Sequence, residues 1–144
     1  MSDERVKPPI WYWGVVGVAL LWNALGVVAF IAQVSMGPEA LAQLSEIERS
    51  IHESTPIWAT AAFGVATFGG LLGCVLLLFR TRFAGPVLVM SLLGIAVQMI
   101  HGLAMTEAVA LLGPQVAVLP SLILVVALFL VAFFGGAHSR RWIQ

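Results

Sequence analysis

The sequence predicts an all-α membrane protein, a bundle of four transmembrane helices, and three observations carry that expectation. Of 144 residues, 60% are hydrophobic and 10% charged, with a mean hydropathy of +1.01. That is more apolar surface than a domain this small can withdraw from water. Four stretches without Asp, Glu, Lys or Arg are each long enough to cross a hydrocarbon core of ~30 Å. The few charges that exist sit between those stretches, with cations and carboxylates on alternate sides.

The first stretch, 11–34, follows Pro8-Pro9 and holds no charge in 24 positions. At about 1.5 Å per residue it extends roughly 36 Å. It is too long and too aromatic at its start for a cleavable leader, so a retained span is expected. The second span covers 56–79, the third 83–105 and the fourth 116–134. Pro56, Pro86 and Pro120 fall in first turns, where a missing amide donor costs little. Gly135-Gly136 is expected to end the fourth span.

Segment 35–55 is polar. Gly37-Pro38-Glu39 offers a helix start, and Leu41, Leu44, Ile47 and Ile51 recur at helical spacing among Gln43, Glu46, Glu48, Arg49 and Glu53. One amphipathic helix along the membrane surface, or capping the bundle, is expected.

Orientation follows from the cations. Arg5, Lys7, Arg80, Arg82, Arg140 and Arg141, six of the seven basic residues, share one side, which the positive-inside rule makes cytoplasmic together with both termini. The other side holds Glu39, Glu46, Glu48, Glu53 and Glu107 with Arg49. At an offset of 68 residues, Gly17, Leu20, Leu25, Gly26, Glu39 and Ala40 match Gly85, Leu88, Leu93, Gly94, Glu107 and Ala108. Chance identity between apolar helices explains this best, although a two-fold relation between the two halves is conceivable.

Composition also excludes. A net charge of zero points away from nucleic acid. A single cysteine, Cys74, rules out an intrachain disulfide, a Cys-x-x-Cys redox pair and a thiolate cage within the chain. No nucleophile–base pair stands out, so an enzyme is not expected, nor a cofactor. Glu48 and His52 could supply half a metal site with His101 or Glu107, a reading that ranks behind ordinary surface charge.

Polar groups inside spans are costly and therefore informative. Asn23, Gly26, Phe30 and Gln33 share one face of the first span, and Ser91, Gly94, Gln98, His101 and Gly102 one face of the third. A common polar seam between these stripes is expected. Two accounts compete: interhelical hydrogen bonds of about 1 kcal/mol each, or a small polar cavity open to the outer side. The cavity would be lined by Asn23, Gln33, Thr60, Thr67, Gln98 and His101, the candidate substrate-binding residues. Gly64, Gly69, Gly70 and Gly73 of the second span predict close helix packing, with a hinge at Gly69-Gly70 as the alternative.

Trp22-Asn23-x-x-Gly26, Thr55-Pro56-x-Trp58-Ala59-Thr60, Leu72-Gly73-Cys74, Ser91-Leu92-Leu93-Gly94 and Gln98-Met99-Ile100-His101 resemble a family of small four-helix bacterial inner-membrane proteins often labelled sugar-transporter-like. The likeness covers roughly residues 9–134. It implies a bacterial inner membrane and leans slightly toward transport, although no motif here recognises a sugar. Two functions follow. One is a scaffold or accessory subunit that packs with itself or a larger membrane complex. The alternative is a small-solute transporter or channel acting as an oligomer through the polar cavity.

Overall fold

A computed structural model describes residues 6–144, and within them the chain is helical without strands. Arg5, counted above among the cations, lies outside the described residues. Helix α1 spans Ile10–Val34, α2 Pro38–Ala42, α3 Glu46–Ser54 and α4 Ile57–Leu78. Helix α5 spans Ala84–Met99 and continues as a π-helical segment, Ile100–Met105. Helix α6 (Ala108–Leu112) and a 3₁₀ turn (Pro114–Ala117) lead into α7, Val118–Ser139. Four of these are long and apolar enough to cross a membrane: α1, α4, α5 with its π segment, and α7 with the preceding turn. Helix α7 runs through Gly135-Gly136 to Ser139, five residues beyond the expected 134. The Ser139 hydroxyl donates to the Gly135 carbonyl at 2.7 Å, so these glycines lie inside a closed turn and not at its end.

The long helices pack in the order α1, α4, α5, α7. Lipid tails are as apolar as leucine, so helices associate through close contact and hydrogen bonds and not through expulsion of water. The α4–α5 interface is the tightest. A Cβ placed on Gly94 would stand 2.8 Å from the Ala62 carbonyl oxygen and 2.9 Å from the Ala66 nitrogen, so only glycine permits this approach. Beside it the Ser91 hydroxyl donates to the Ala66 carbonyl at 2.6 Å. Between α5 and α7, the Phe134 ring covers Gly85.

Val6 and the start of α1, the turn after α4 and the segment after α7 lie at one end of the bundle, the terminal end. Segments 35–56 and 106–117 form the other, the loop end. At the terminal end α4 and α7 finish alike, in Schellman motifs with arginine in the left-handed position: Arg80 at φ 58° and Arg141 at φ 57°. After α4, Thr81 N–H donates to Leu76 and Arg80 N–H to Leu77; after α7, Trp142 N–H donates to Ala137 and Arg141 N–H to His138. The Arg80 guanidinium then ties the end together, donating to the Trp142 carbonyl at 2.6 Å and the Val6 carbonyl at 2.8 Å. Arg82 and Gln144 add backbone bonds, Arg82 N–H to Gln144 at 2.6 Å and Gln144 N–H to Arg80 at 3.1 Å. Inside this latch the Tyr12 hydroxyl donates to the Leu77 carbonyl at 2.7 Å. Tyr12 stacks on Phe133, and both Tyr12 and Trp11 meet Trp142 edge-on. These rings bridge α1 and α7 and seal this end.

At the loop end the single helix expected over 35–55 is two. Ser45 interrupts it because its hydroxyl accepts from the Glu48 amide at 3.2 Å while the Glu48 carboxylate accepts from the Ser45 amide at 3.0 Å. This capping box starts α3 afresh. Hydrogen bonds from the Ser45 hydroxyl and then the Ser45 backbone hold the Glu48 carboxyl below its ordinary pKa. The guanidinium of Arg49 donates twice to the Leu41 carbonyl, at 2.9 and 3.1 Å, and so ties α3 to the end of α2.

Candidate functional site

At Asn23 and Ser91 the two polar stripes converge on α4, over Gly70, and toward the loop end Gln33 of one and Gln98 and His101 of the other line a common cavity. An added Cβ at Gly70 would collide with the Asn23 carboxamide oxygen and come within 3.3 Å of the Ser91 hydroxyl, so a glycine admits both. The Asn23 amide donates to the Ala19 carbonyl one turn back at 2.8 Å and to the Cys74 sulfur at 3.4 Å. Thr67 donates to its own helix, to the Phe63 carbonyl at 3.0 Å. Among the described residues, none of the six candidates hydrogen-bonds another, so interhelical glue accounts for little of the polarity beyond Asn23 and Ser91.

What the six share is a run of cavities. The outermost, about 450 Å³, lies under α3 and is bordered by Glu46, Ser50, Glu107 and His101. His101 and Thr106 pass into a second, about 230 Å³, which also holds Gln33, Thr60 and Gln98. Gln98, Met99 and Pro120 are shared with a third, about 380 Å³, between α1 and α7. The third is mostly apolar, walled by Trp22, Leu25, Phe63, Leu119 and Ile123, with Asn23, Thr67 and Gln98 as its polar members. Below Asn23 a pocket of about 20 Å³ has room for roughly one water beside Ser91. Deeper still the aromatic rings of the terminal end close the path.

The polar members differ in how well they are satisfied. The Asn23 amide and the Thr67 hydroxyl donate to protein acceptors, whereas the Gln98 side-chain oxygen is buried without a hydrogen-bond partner. Gln98 sits where the polar cavity meets the apolar one. The His101 ring stands edge-on to Trp58 at 5.2 Å between centroids. It lies in the π segment, whose last residues are held by the Thr106 hydroxyl donating to the Gly102 carbonyl at 2.6 Å. No three His, Cys, Asp or Glu side chains among the described residues stand close enough to hold a metal ion, so Glu48 and His52 do not assemble one with His101 or Glu107.

Sequence reasoning did not select Trp22, Met99 or Pro120 as walls. Trp22 is the one ring between Trp13 and Phe30, and that isolation in mid-span is the one signal that could have found it. Met99 and Pro120 look, in sequence, like any lipid-facing or helix-starting residue. Set against models of known families, curated proteins and solved structures, the chain finds no match.

Proposed function

We propose that the chain is a small, non-catalytic protein of a bacterial inner membrane that binds a small solute in an outward-facing cleft and, as an oligomer, passes it across the bilayer. The observation that carries this reading is Gln98, whose buried oxygen lacks a donor between two adjoining cavities. An unmet buried acceptor costs on the order of 1–3 kcal/mol, and a turn of the carboxamide toward a bound ligand with a donor removes that cost.

Lys7, Arg80, Arg82, Arg140 and Arg141 belong to the terminal end, and Glu39, Glu46, Glu48, Glu53 and Glu107 to the loop end. The terminal end is then cytoplasmic and the cleft opens outward. Helix α3 lies over the cleft, Ile47 and Ile51 against its cavities and the exposed Glu48 and Glu53 toward water. The resemblance to sugar-transporter-like proteins adds weight, since Trp22, Asn23, Thr60, Gln98 and Met99 occur both in its strings and on the cleft walls. Four spans enclose too little space for a complete pathway, which is why a second copy belongs to the reading.

A scaffold or accessory subunit is the second reading, favoured by α7. Its Leu119, Val125 and Leu128 are at least half exposed, a long apolar side that suits another chain as well as lipid.

Cysteine labelling separates the two. In right-side-out cells carrying Cys74→Ala, Thr60→Cys and Gln98→Cys are expected to react with an impermeant thiol reagent added outside, and Thr81→Cys to stay unreactive. Unreactive Thr60→Cys and Gln98→Cys, with a partner protein co-purifying in fixed ratio, would replace the cleft reading with the scaffold.

A further inference from the structure

We propose that the cleft takes its ligand sideways from the outer half of the bilayer, through the gap between α1 and α7, and that the ligand is a single-chain lipid with a neutral hydroxyl head. The inference rests on the outward-facing cleft being the working part of the molecule, and it names the class of ligand.

The argument begins with the gap. Helices α1 and α7 are joined by aromatic rings at the terminal end and separated toward the loop end by the cavity of about 380 Å³. Its mouth is flanked by Leu25 and Leu119, 58% and 60% exposed, and these rims face hydrocarbon when the bundle is in a membrane. An opening of this kind connects the cavity to lipid and not to water. Its volume lies within the ~300–1,000 Å³ of small-molecule sites.

A water-soluble polyol would bury several hydroxyls here and find few partners for them, since the Asn23 amide and the Thr67 hydroxyl already donate to the protein and the other walls are apolar. Stripping those hydroxyls of water without replacement is unfavourable. An alkyl chain suits the walls without such a cost. The head group then comes to Gln98, where the apolar cavity passes into the polar one. The Gln98 carboxamide carries an oxygen without a partner and an amide donor beside it, so a head that can donate as well as accept suits it. A hydroxyl does so, and a carboxylate does not. Glu46 and Glu107 border the outermost cavity, and their charge disfavours an anionic head further. No lysine or arginine lines any of the cavities described.

Trp22 lines the apolar cavity and reports its contents. The full chain in phosphatidylcholine nanodiscs is titrated with an ω-bromo fatty alcohol, bromine being a contact quencher of indole. The Trp22 contribution is the difference between the wild type and Trp22→Phe. The expected result is saturable quenching of Trp22, reversed by the unbrominated alcohol. Gln98→Met, which keeps the side-chain length and removes the acceptor, should raise the half-saturating mole fraction roughly tenfold. Ala29→Phe, which fills the gap from α1, should abolish saturation. The ω-bromo carboxylate should quench only in proportion to its concentration in the bilayer.

Equal saturation by the carboxylate, or an unchanged midpoint in Gln98→Met, would overturn the head-group assignment. Linear quenching by the alcohol, with acrylamide reaching Trp22 from the aqueous side, would overturn the lateral route and leave an outward-facing aqueous cleft standing. If neither quencher reaches Trp22, both the route and the cleft reading fall.

Discussion

Replacing Gly94 by alanine adds one methyl group where two helix backbones meet, and its effect can be worked out from the surrounding atoms. The new carbon would lie 2.8 Å from the Ala62 oxygen, 2.9 Å from the Ala66 nitrogen and 3.3 Å from the Ala66 Cα. All three are backbone atoms, so no side chain can swing aside and α4 must move away from α5. Overpacking of this kind costs about 1–3 kcal/mol, and separation also stretches the bond from Ser91 to Ala66. Against this, alanine is favoured over glycine in a helix by roughly 1 kcal/mol. Gly26→Ala provides the reference, because its methyl would meet only Thr67 Cγ2 at 3.6 Å, an ordinary contact, and keeps the propensity gain. The two variants should therefore differ by about 1–3 kcal/mol, with Gly94→Ala the less stable. Reversible unfolding by sodium dodecyl sulfate in mixed micelles, followed by circular dichroism, measures that difference. A Gly94→Ala protein as stable as Gly26→Ala would refute the close approach of α4 and α5, and with it the geometry that places Gln98.

Two further outcomes follow from the ends of the bundle. Arg80→Gly relieves a left-handed residue by about 1–2 kcal/mol but loses charge-assisted bonds to Trp142 and Val6 worth about 1.5–3 kcal/mol each, so a net loss is expected. Hydrogen exchange at Trp142 and Gln144 should speed up in Arg80→Gly, and unchanged protection there would show that the latch is unimportant. At the loop end, Glu48 has its pKa lowered from 4.5 by Ser45, so its carboxylate contributes stability above pH 4.5 and that contribution fades as pH falls through the depressed value. Amide chemical shifts of α3 should therefore move toward coil values on acidification in the wild type and stay unaltered over the same interval in Glu48→Gln.

The spans were legible because uninterrupted apolar length has one economical explanation in a chain this short. Their edges were less so. Gly135-Gly136 looks like a stop, yet the helix continues because Ser139 closes the turn over Gly135 and a Schellman motif at Arg141 ends it instead. The break at Ser45 was written in the chain as Ser45-x-x-Glu48, a capping pattern, but the hydrophobic stripe Leu41, Leu44, Ile47, Ile51 runs straight across it and suggests one helix. The candidate residues stood out because a polar side chain inside a span is costly, and all six line the adjoining cavities. Their arrangement did not stand out. Hydropathy is blind to which helices are neighbours, so it could not tell that Asn23 and Ser91 meet over Gly70 or that α1 and α7 part. The near-repeat between the two halves would have suggested an α1–α7 contact equivalent to α4–α5. Gly94 does have a counterpart on the wall of that gap, Gly26, but Ala62 and Ala66, against which Gly94 packs, correspond to the bulkier Leu130 and Phe134 of α7.

The π-helical turns at Ile100–Met105 bear on how this chain tolerates change in length. A π segment holds one residue more than an α-helix would need for the same advance. Deleting a single residue there, Leu103 for example, returns the segment to α geometry and leaves every upstream side chain at its present bearing. The same deletion in the middle of α4 would rotate half the helix by about 100° and carry its glycines off the interface. The π segment that continues α5 at the loop end is thus, among the described residues, the stretch of apolar helix where a gain or loss of one residue can be absorbed locally, with the neighbourhood of His101 re-aimed and the rest of the bundle undisturbed.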